Sequence, residues 1–266
     1  MSSEKFEIIV HRAHNELAPE NSLAGIREIR ALSEDLMIEV DICITADDVP
    51  VLYHDLSLDR LCGDPRLLME TAFGDLPLRM DGDRIARLDE MLAAFPGQRF
   101  LLDVRTHVHE DFLRESDAAG NHTPPLVRIV PAVQKLLRAE DAGKIRIVVG
   151  NPEHRIHARQ YFPDFEIDIP EQYTRTLLTN LPEPADATVI GEDVTRMYVR
   201  FREISQELIS WAHLAGLKII ANHAPSRRSI STSQMMLEQC LDWGMDGLTA
   251  SPIDRKFIAT WEQAIR

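Results

Sequence analysis

Short runs of apolar residues recur along the chain, and the stretches between them carry apolar residues at helical spacing. That alternation is expected of parallel βα units. The runs that predict strands are FEIIV (6–10), LMIEVDI (36–42), RFLLDV (99–104), IRIVVG (145–150), FEIDI (165–169), ATVIG (187–191), LKIIAN (217–222) and DGLTA (246–250). Helical spacing marks NSLAGIREIRALS, capped by Asn21 or Ser22, and also VRIVPAVQKLLRAED, EISQELISWAHLAG and SQMMLEQCLDWG, the last two ending at glycine. VPVLYHD (49–55) reads as an additional extended segment, and 56–98 as an excursion rich in Asp, Gly, Pro and Arg that contains the helix RLDEMLAAF. The pattern predicts one α/β domain over residues 1–266, a (β/α)8 TIM barrel with a short insertion between its second and third barrel strands. A length of 266 residues, 44% of them hydrophobic, suits one such barrel with a substantial core.

The second predicted strand breaks the apolar rule in a regular way. Side chains alternate across a strand, so Glu39 and Asp41 project from one face while Ile38, Val40 and Ile42 occupy the other. Two neighbouring carboxylates resist desolvation and repel each other, and a bound Mg²⁺ or Ca²⁺ would offset both costs. A solvated strand end with an ordinary ion pair is the structural alternative. Other polar residues also fall at predicted strand ends: His11 and Arg12 at the first, Asp103 and Arg105 at the third, Asn222 and His223 at the seventh. A parallel barrel keeps its reactive groups at the carboxyl ends of its strands, and it is the joint placement that carries weight.

Charge and cysteine content narrow the field. Twenty-nine basic against 43 acidic side chains give a formal charge of −14, which opposes nonspecific nucleic-acid binding and adsorption to anionic membranes. An anionic substrate therefore needs locally placed cations. Cys43, Cys62 and Cys240 form no CxxC pair and are odd in number, which argues against a disulfide framework or a zinc ribbon and for a reducing, cytoplasmic setting. Cys62 reads as an inert thiol. No signal-peptide pattern opens MSSEKFEIIVHR, and no apolar stretch is long enough to span a bilayer.

Three segments, HRAHNELAPENSLAGIREI, IEVDICITADDVPVLYHDLSLDRLCG and RLDEMLAAFPGQRFLLDVR, resemble the glycerophosphodiester phosphodiesterase family, a group of phospholipase-C-like barrels. The likeness is dense over residues 8–105 and returns in GLKIIANH and GMDGLTASP. It implies that Glu39, Asp41 and Asp103 bind a divalent cation, that His11 and His54 form an acid and base pair, and that Arg12 and Arg105 hold the phosphate. The chain departs from the family pattern at four places. Ala13 stands for a glycine; Asp103 and Arg105 stand for glutamate and lysine; a tryptophan before the seventh strand's asparagine is missing; and Thr249-Ala250-Ser251-Pro252 lacks an aspartate. Arg105 offers a planar fork where lysine offers a point charge. The sphingomyelinase D type toxins are similar in using an aspartate as third metal ligand, but their disulfide loop has no counterpart here.

The chemistry these residues suit is displacement at a phosphodiester. A cation and arginines neutralise its charge, while two histidines move protons to and from the exchanging oxygens. The attacking group is left open between water, a substrate hydroxyl that would give a cyclic phosphate, and a histidine. The expected partner is a small anionic phosphodiester: a glycerophosphodiester, or a sugar (opine-type) diester. A barrel that only captures phosphoesters is the non-enzymatic alternative. A strand-end zinc site built on His107 and His109, as in amidohydrolases, is the least favoured. Asp55 is expected on the opposite side of the extended segment from His54, His14 and Arg60 have open roles, and Arg12 and Arg105 have structural partners available in Glu20 and Asp103.

Overall fold

The computed structural model describes residues 6–15, 18–106, 125–149, 158–168, 183, 195–222 and 230–265. Among the described residues nine strands form one sheet: β1 (Glu7–Val10), β2 (Met37–Ile44), β3 (Pro50–Leu52), β4 (Arg99–Val104), β5 (Ile145–Val149), β6 (Glu166–Asp168), β7 (Arg196–Arg200), β8 (Lys218–Asn222) and β9 (Gly247–Ala250). All but β3 pair in parallel, in the order β6-β5-β4-β2-β1-β9-β8-β7, and β3 lies antiparallel to the upper half of β2. The result is a nearly closed barrel of eight parallel strands with helices around it, the architecture the alternating pattern predicts.

Helices given in full by the described residues are α1 (Leu23–Leu32), the single turn α2 (Asp59–Cys62), α3 (Leu88–Ala94), α4 (Pro125–Gln134), α5 (Gln206–Leu214), α6 (Ile230–Asp242) and α7 (Arg255–Ala264). Ser22, rather than Asn21, caps α1: its Oγ accepts from the Gly25 N–H at 2.9 Å. That leaves Asn21 free for another task. The excursion after β3 has a small core of its own, Val51, Tyr53, Leu58, Leu68 and Ile85 around Cys43, whereas α3 buries Leu88 and Met91 in the main core.

One strand differs from expectation. The predicted run at 187–191 lies outside the described residues, while β7 falls at RMYVR, which does not read as an apolar run. Two of its polar residues have partners on β6. Tyr198 Oη donates to Asp168 Oδ2 at 2.7 Å, and Arg196 pairs with Glu166, bonds that reach from β7 to β6 between the two free ends of the hydrogen-bonded ladder.

Alternation sorts each strand into two faces. Ile8, Val10, Ile38, Val40, Phe100, Leu102, Ile147, Ile219 and Leu248 join the core beneath the helices. Ile9, Met37, Leu101, Val148, Tyr198 and Ile220 form a second, separate buried cluster inside the barrel. Below that layer sits a charged base: Glu7 accepts from Arg146 Nη2 at 2.7 Å and from Arg99 Nη2 at 2.6 Å. Above it, one pleat repeat further along the strands, come the carboxylates.

Candidate active site

Register explains how three acids meet. Asp41 of β2 lies opposite Asp103 of β4, and Glu39 is two residues before Asp41 on the same inward face. Carboxylate oxygens of Glu39, Asp41 and Asp103 lie within 4.8 Å of one another. Glu39 is 6% and Asp41 1% exposed, so the cluster is not a solvated strand end.

Each acid is held by a different neighbour. The Arg12 backbone N–H donates to Glu39 Oε2 at 2.5 Å. Asn21 Nδ2 donates to Asp41 Oδ2 at 2.8 Å while Asn21 Oδ1 accepts the Asp41 N–H at 3.0 Å. Arg105 Nη1 donates to Asp103 Oδ2 at 3.1 Å and lies 3.6 Å from Asp41 Oδ1. Asp103 Oδ1 is buried with no hydrogen-bond partner. Burial, and then the charges of Asp41 and Asp103, push the Glu39 carboxyl well above the usual carboxylate range. Burial also raises Asp41, against the opposing pull of His54 and Arg105. The facing carboxylates keep Arg105 firmly protonated despite its burial. A cluster of this kind fits a hard divalent cation: its donors are all oxygen, one of them is uncommitted, and the charge is in excess.

The chain reaches the Glu39 backbone bond through a tight turn. His11–Ala13 form a short 3₁₀ turn in which Arg12 (φ 56°) and Ala13 (φ 47°) both adopt left-handed backbone. Left-handed Ala13 accounts for the glycine that the resemblance expects there. The turn rests on α1, where a Cβ at Gly25 would lie 2.2 Å from the Ala13 carbonyl oxygen. His11 Nε2 is 4.0 Å from Glu39 Oε2. Burial in the mouth, with Arg12, His54, His14 and Arg105 around it, lowers the His11 imidazole well below its ordinary value and keeps it neutral.

His54 follows β3 where the chain has left the strand, and here the expectation for Asp55 is corrected. The two side chains do not diverge: His54 Nδ1 lies 2.6 Å from Asp55 Oδ1. Alternation fails because residues 53–55 are irregular rather than extended in a ladder. Although burial opposes it, the bonds from His54 and Arg60 hold Asp55 well below the usual carboxylate range. An ionised carboxylate only accepts, so Nδ1 carries the hydrogen and Nε2 is the nitrogen left for chemistry. Arg60 donates from Nε to Asp55 Oδ2 and from Nη2 to Glu20 Oε1, both at 2.5 Å, and Glu20 Oε1 also faces Arg12 Nη1 at 3.5 Å.

All seven residues read from the sequence as candidates belong to this one end of the barrel. Glu20, Asn21, Asp55 and Arg60 belong there too, and periodicity could not assign their roles because all four lie in loops or a single turn. The structural partners open to Arg12 and Arg105 are the ones they take. His14 is accounted for structurally, with Nδ1 3.1 Å from Ser251 Oγ and its carbonyl accepting the Ser251 hydroxyl at 2.8 Å. His107, His109 and His223 lie outside the described residues.

The molecule is thus a (β/α)8 barrel whose acids, two of them buried, and half-buried histidines gather where such barrels perform chemistry. Its kinship is narrower than that class. The glycerophosphoryl diester phosphodiesterase family model matches residues 11–248, and the chain belongs to that family. Glycerophosphodiester phosphodiesterase 1 of Bos taurus is 37% identical over 182 residues, covering 61% of this chain and 54% of the relative. The Homo sapiens protein of the same name is 31% identical over 120 residues, 40% of this chain and 36% of the relative. The chain thus spans between 36% and 54% of the length of these relatives. A glycerophosphodiester phosphodiesterase from Agrobacterium tumefaciens superposes with a TM-score of 0.68 at 17% identity, over 97% of this chain and 99% of that one. An Oleispira antarctica phosphodiesterase, solved with the product sn-glycerol-3-phosphate, gives 0.68 at 17% identity, over 97% and 96%. Likeness at these identities shows the fold. Among the described residues no helix is long and apolar enough to cross a membrane.

Proposed function

We propose that the chain is a phosphoric diester hydrolase, a divalent-cation-dependent phosphodiesterase that cleaves a glycerophosphodiester or a related small phosphodiester. The observation that carries this reading is the convergence of Glu39, Asp41 and Asp103 within 4.8 Å at the barrel mouth. Those three residues would hold Mg²⁺ or Ca²⁺, and the ion, when bound, supplies charge neutralisation at the phosphoryl oxygens.

The chain's own residues divide the remaining work. Arg12 and Arg105 present guanidinium groups to a phosphate seated above the acids, and planar forks suit two oxygens of one diester. His11 is neutral in its surroundings and accepts the proton of the attacking oxygen through its ring. His54, supported through Nδ1 by Asp55, returns a proton from Nε2 to the departing alkoxide, and Asp55 offsets the charge of the imidazolium that precedes that step. Water as the attacking group gives a phosphomonoester, and a glycerol phosphate of the sort bound in the Oleispira antarctica neighbour is the product class this reading favours. Three free thiols, two of them buried, agree with residence in a reducing compartment.

Phosphorus NMR of the purified chain with glycerophosphodiesters and sugar phosphodiesters, each with Mg²⁺, Ca²⁺ or EDTA, tests the proposal. The expected result is a monoester resonance that requires the cation. A cyclic phosphate would show that a substrate hydroxyl attacks. Bound but unreacted diester in every condition would replace the hydrolase by a capture module.

A further inference from the structure

Arg60 is 47% exposed in its side chain and touches none of the three acids, yet its two bonds reach both halves of the mouth. Through Nε it grips Asp55, the partner of His54; through Nη2 it grips Glu20, which faces Arg12. Glu20 comes from the loop between β1 and α1, Asp55 from the segment after β3, and Arg60 from α2. One guanidinium therefore joins the loop that carries a phosphate-facing arginine to the loop that carries a histidine. Exposed ion pairs contribute little to stability, so a purely structural staple would be a weak reason for this arrangement.

Resting on the hydrolase reading above, we propose that Arg60 is a positioning residue for the reaction, fixing the His54 tautomer through Asp55 and the stance of Arg12 through Glu20. The fork matters as well as the charge. Two different nitrogens, Nε and Nη2, face two different carboxylates, a division that a single ammonium cannot reproduce. With Arg60 in place, Asp55 keeps one oxygen on His54 Nδ1 and gives the other to the guanidinium, so the carboxylate cannot rotate away from the ring. Without it, Asp55 and Glu20 lose the cation they share, leaving Asp55 held by His54 alone and Glu20 by Arg12 alone.

The test is a long-range proton–nitrogen NMR spectrum of the full chain with ¹⁵N-labelled histidine, the His54 signals being assigned by their loss in His54→Gln. It is paired with kcat and KM for bis-p-nitrophenyl phosphate in Mg²⁺. In spectra taken at a pH high enough for the ring to have given up its Nε2 proton, the wild type should show the remaining hydrogen on Nδ1. Arg60→Ala should show a mixture of the two tautomers, a kcat lowered by about 10- to 100-fold, as small misplacements of reacting groups do, and a much smaller change in KM. Arg60→Lys should resemble Arg60→Ala in both readouts. An unchanged His54 tautomer in Arg60→Ala overturns the proposal whatever the activity does, and so does full restoration by lysine. If no variant and not even the wild type turns over diester, the hydrolase reading fails, while the tautomer spectra still decide the role of Arg60.

Discussion

Asn21 holds Asp41 from two sides, donating to its carboxylate at 2.8 Å and accepting its backbone N–H at 3.0 Å. Asn21 does so from left-handed backbone (φ 50°), a conformation asparagine adopts more readily than other side-chain-bearing residues. Asn21→Ala strands a buried N–H and places alanine at a positive φ. It should cost about 2 kcal/mol, the order expected for one unsatisfied buried donor. A urea denaturation midpoint that falls with an unchanged slope would show it, and Asn21→Asp should do worse by setting a further carboxylate against Asp41.

Glu39 gives the sign of a pH effect. Its folded carboxyl titrates above the unfolded value, so between those two pH values the folded chain holds a proton the unfolded chain has lost. Stability of the metal-free protein therefore falls as pH rises through that window. Glu39→Gln should remove this dependence and raise the melting temperature of the EDTA-treated protein at neutral pH. Cation should reverse the ranking: at a concentration a hundredfold above Kd the wild type gains about 2.7 kcal/mol and the variant gains nothing. Calorimetric melts with and without Mg²⁺ across pH decide it, and an equal gain in both proteins would dismiss Glu39 as a ligand.

Turnover should depend on both histidines without the fold depending on either. His11→Ala and His54→Ala are each expected to lower kcat by about 10²- to 10⁴-fold, the range for loss of a proton-transfer group. Far-ultraviolet dichroism should be unchanged. Wild-type rates in either purified variant would remove that residue from the mechanism.

Gly25 offers a test of the turn behind the site. In an ordinary helix Gly→Ala is favourable by about 1 kcal/mol. Here the added methyl would lie 2.2 Å from the Ala13 carbonyl oxygen, and backbone must move to admit it. Gly25→Ala should therefore destabilise the protein and, by shifting Arg12 N–H off Glu39, weaken cation binding more than stability. A metal titration alongside a melt separates the two effects, and a more stable variant with intact affinity would contradict the geometry.

Regular geometry accounts for what was legible beforehand. Alternation in MIEVDI put Glu39 and Asp41 on one face, and the parallel ladder then set Asp41 opposite Asp103. Where the chain leaves regular structure that logic stops. Asp55 belongs beside His54 because residues 53–55 no longer alternate, and Asn21 serves Asp41 because Ser22, one position later, already caps α1. Strand β7 escaped notice for another reason: Tyr198 and Arg196 look like surface residues until Asp168 and Glu166 are seen across the seam.

The apolar layer of Ile9, Met37, Leu101, Val148, Tyr198 and Ile220 lies between the mouth and the base. Among the described residues it fills the lumen beneath the acids, as the layers of such barrels do. On the proposed reading, substrate, alcohol and phosphomonoester meet at the same mouth above that layer, so whichever product lingers there bars the next substrate. The catalytic rhythm of such a mouth is set by how fast it empties as much as by how fast it reacts.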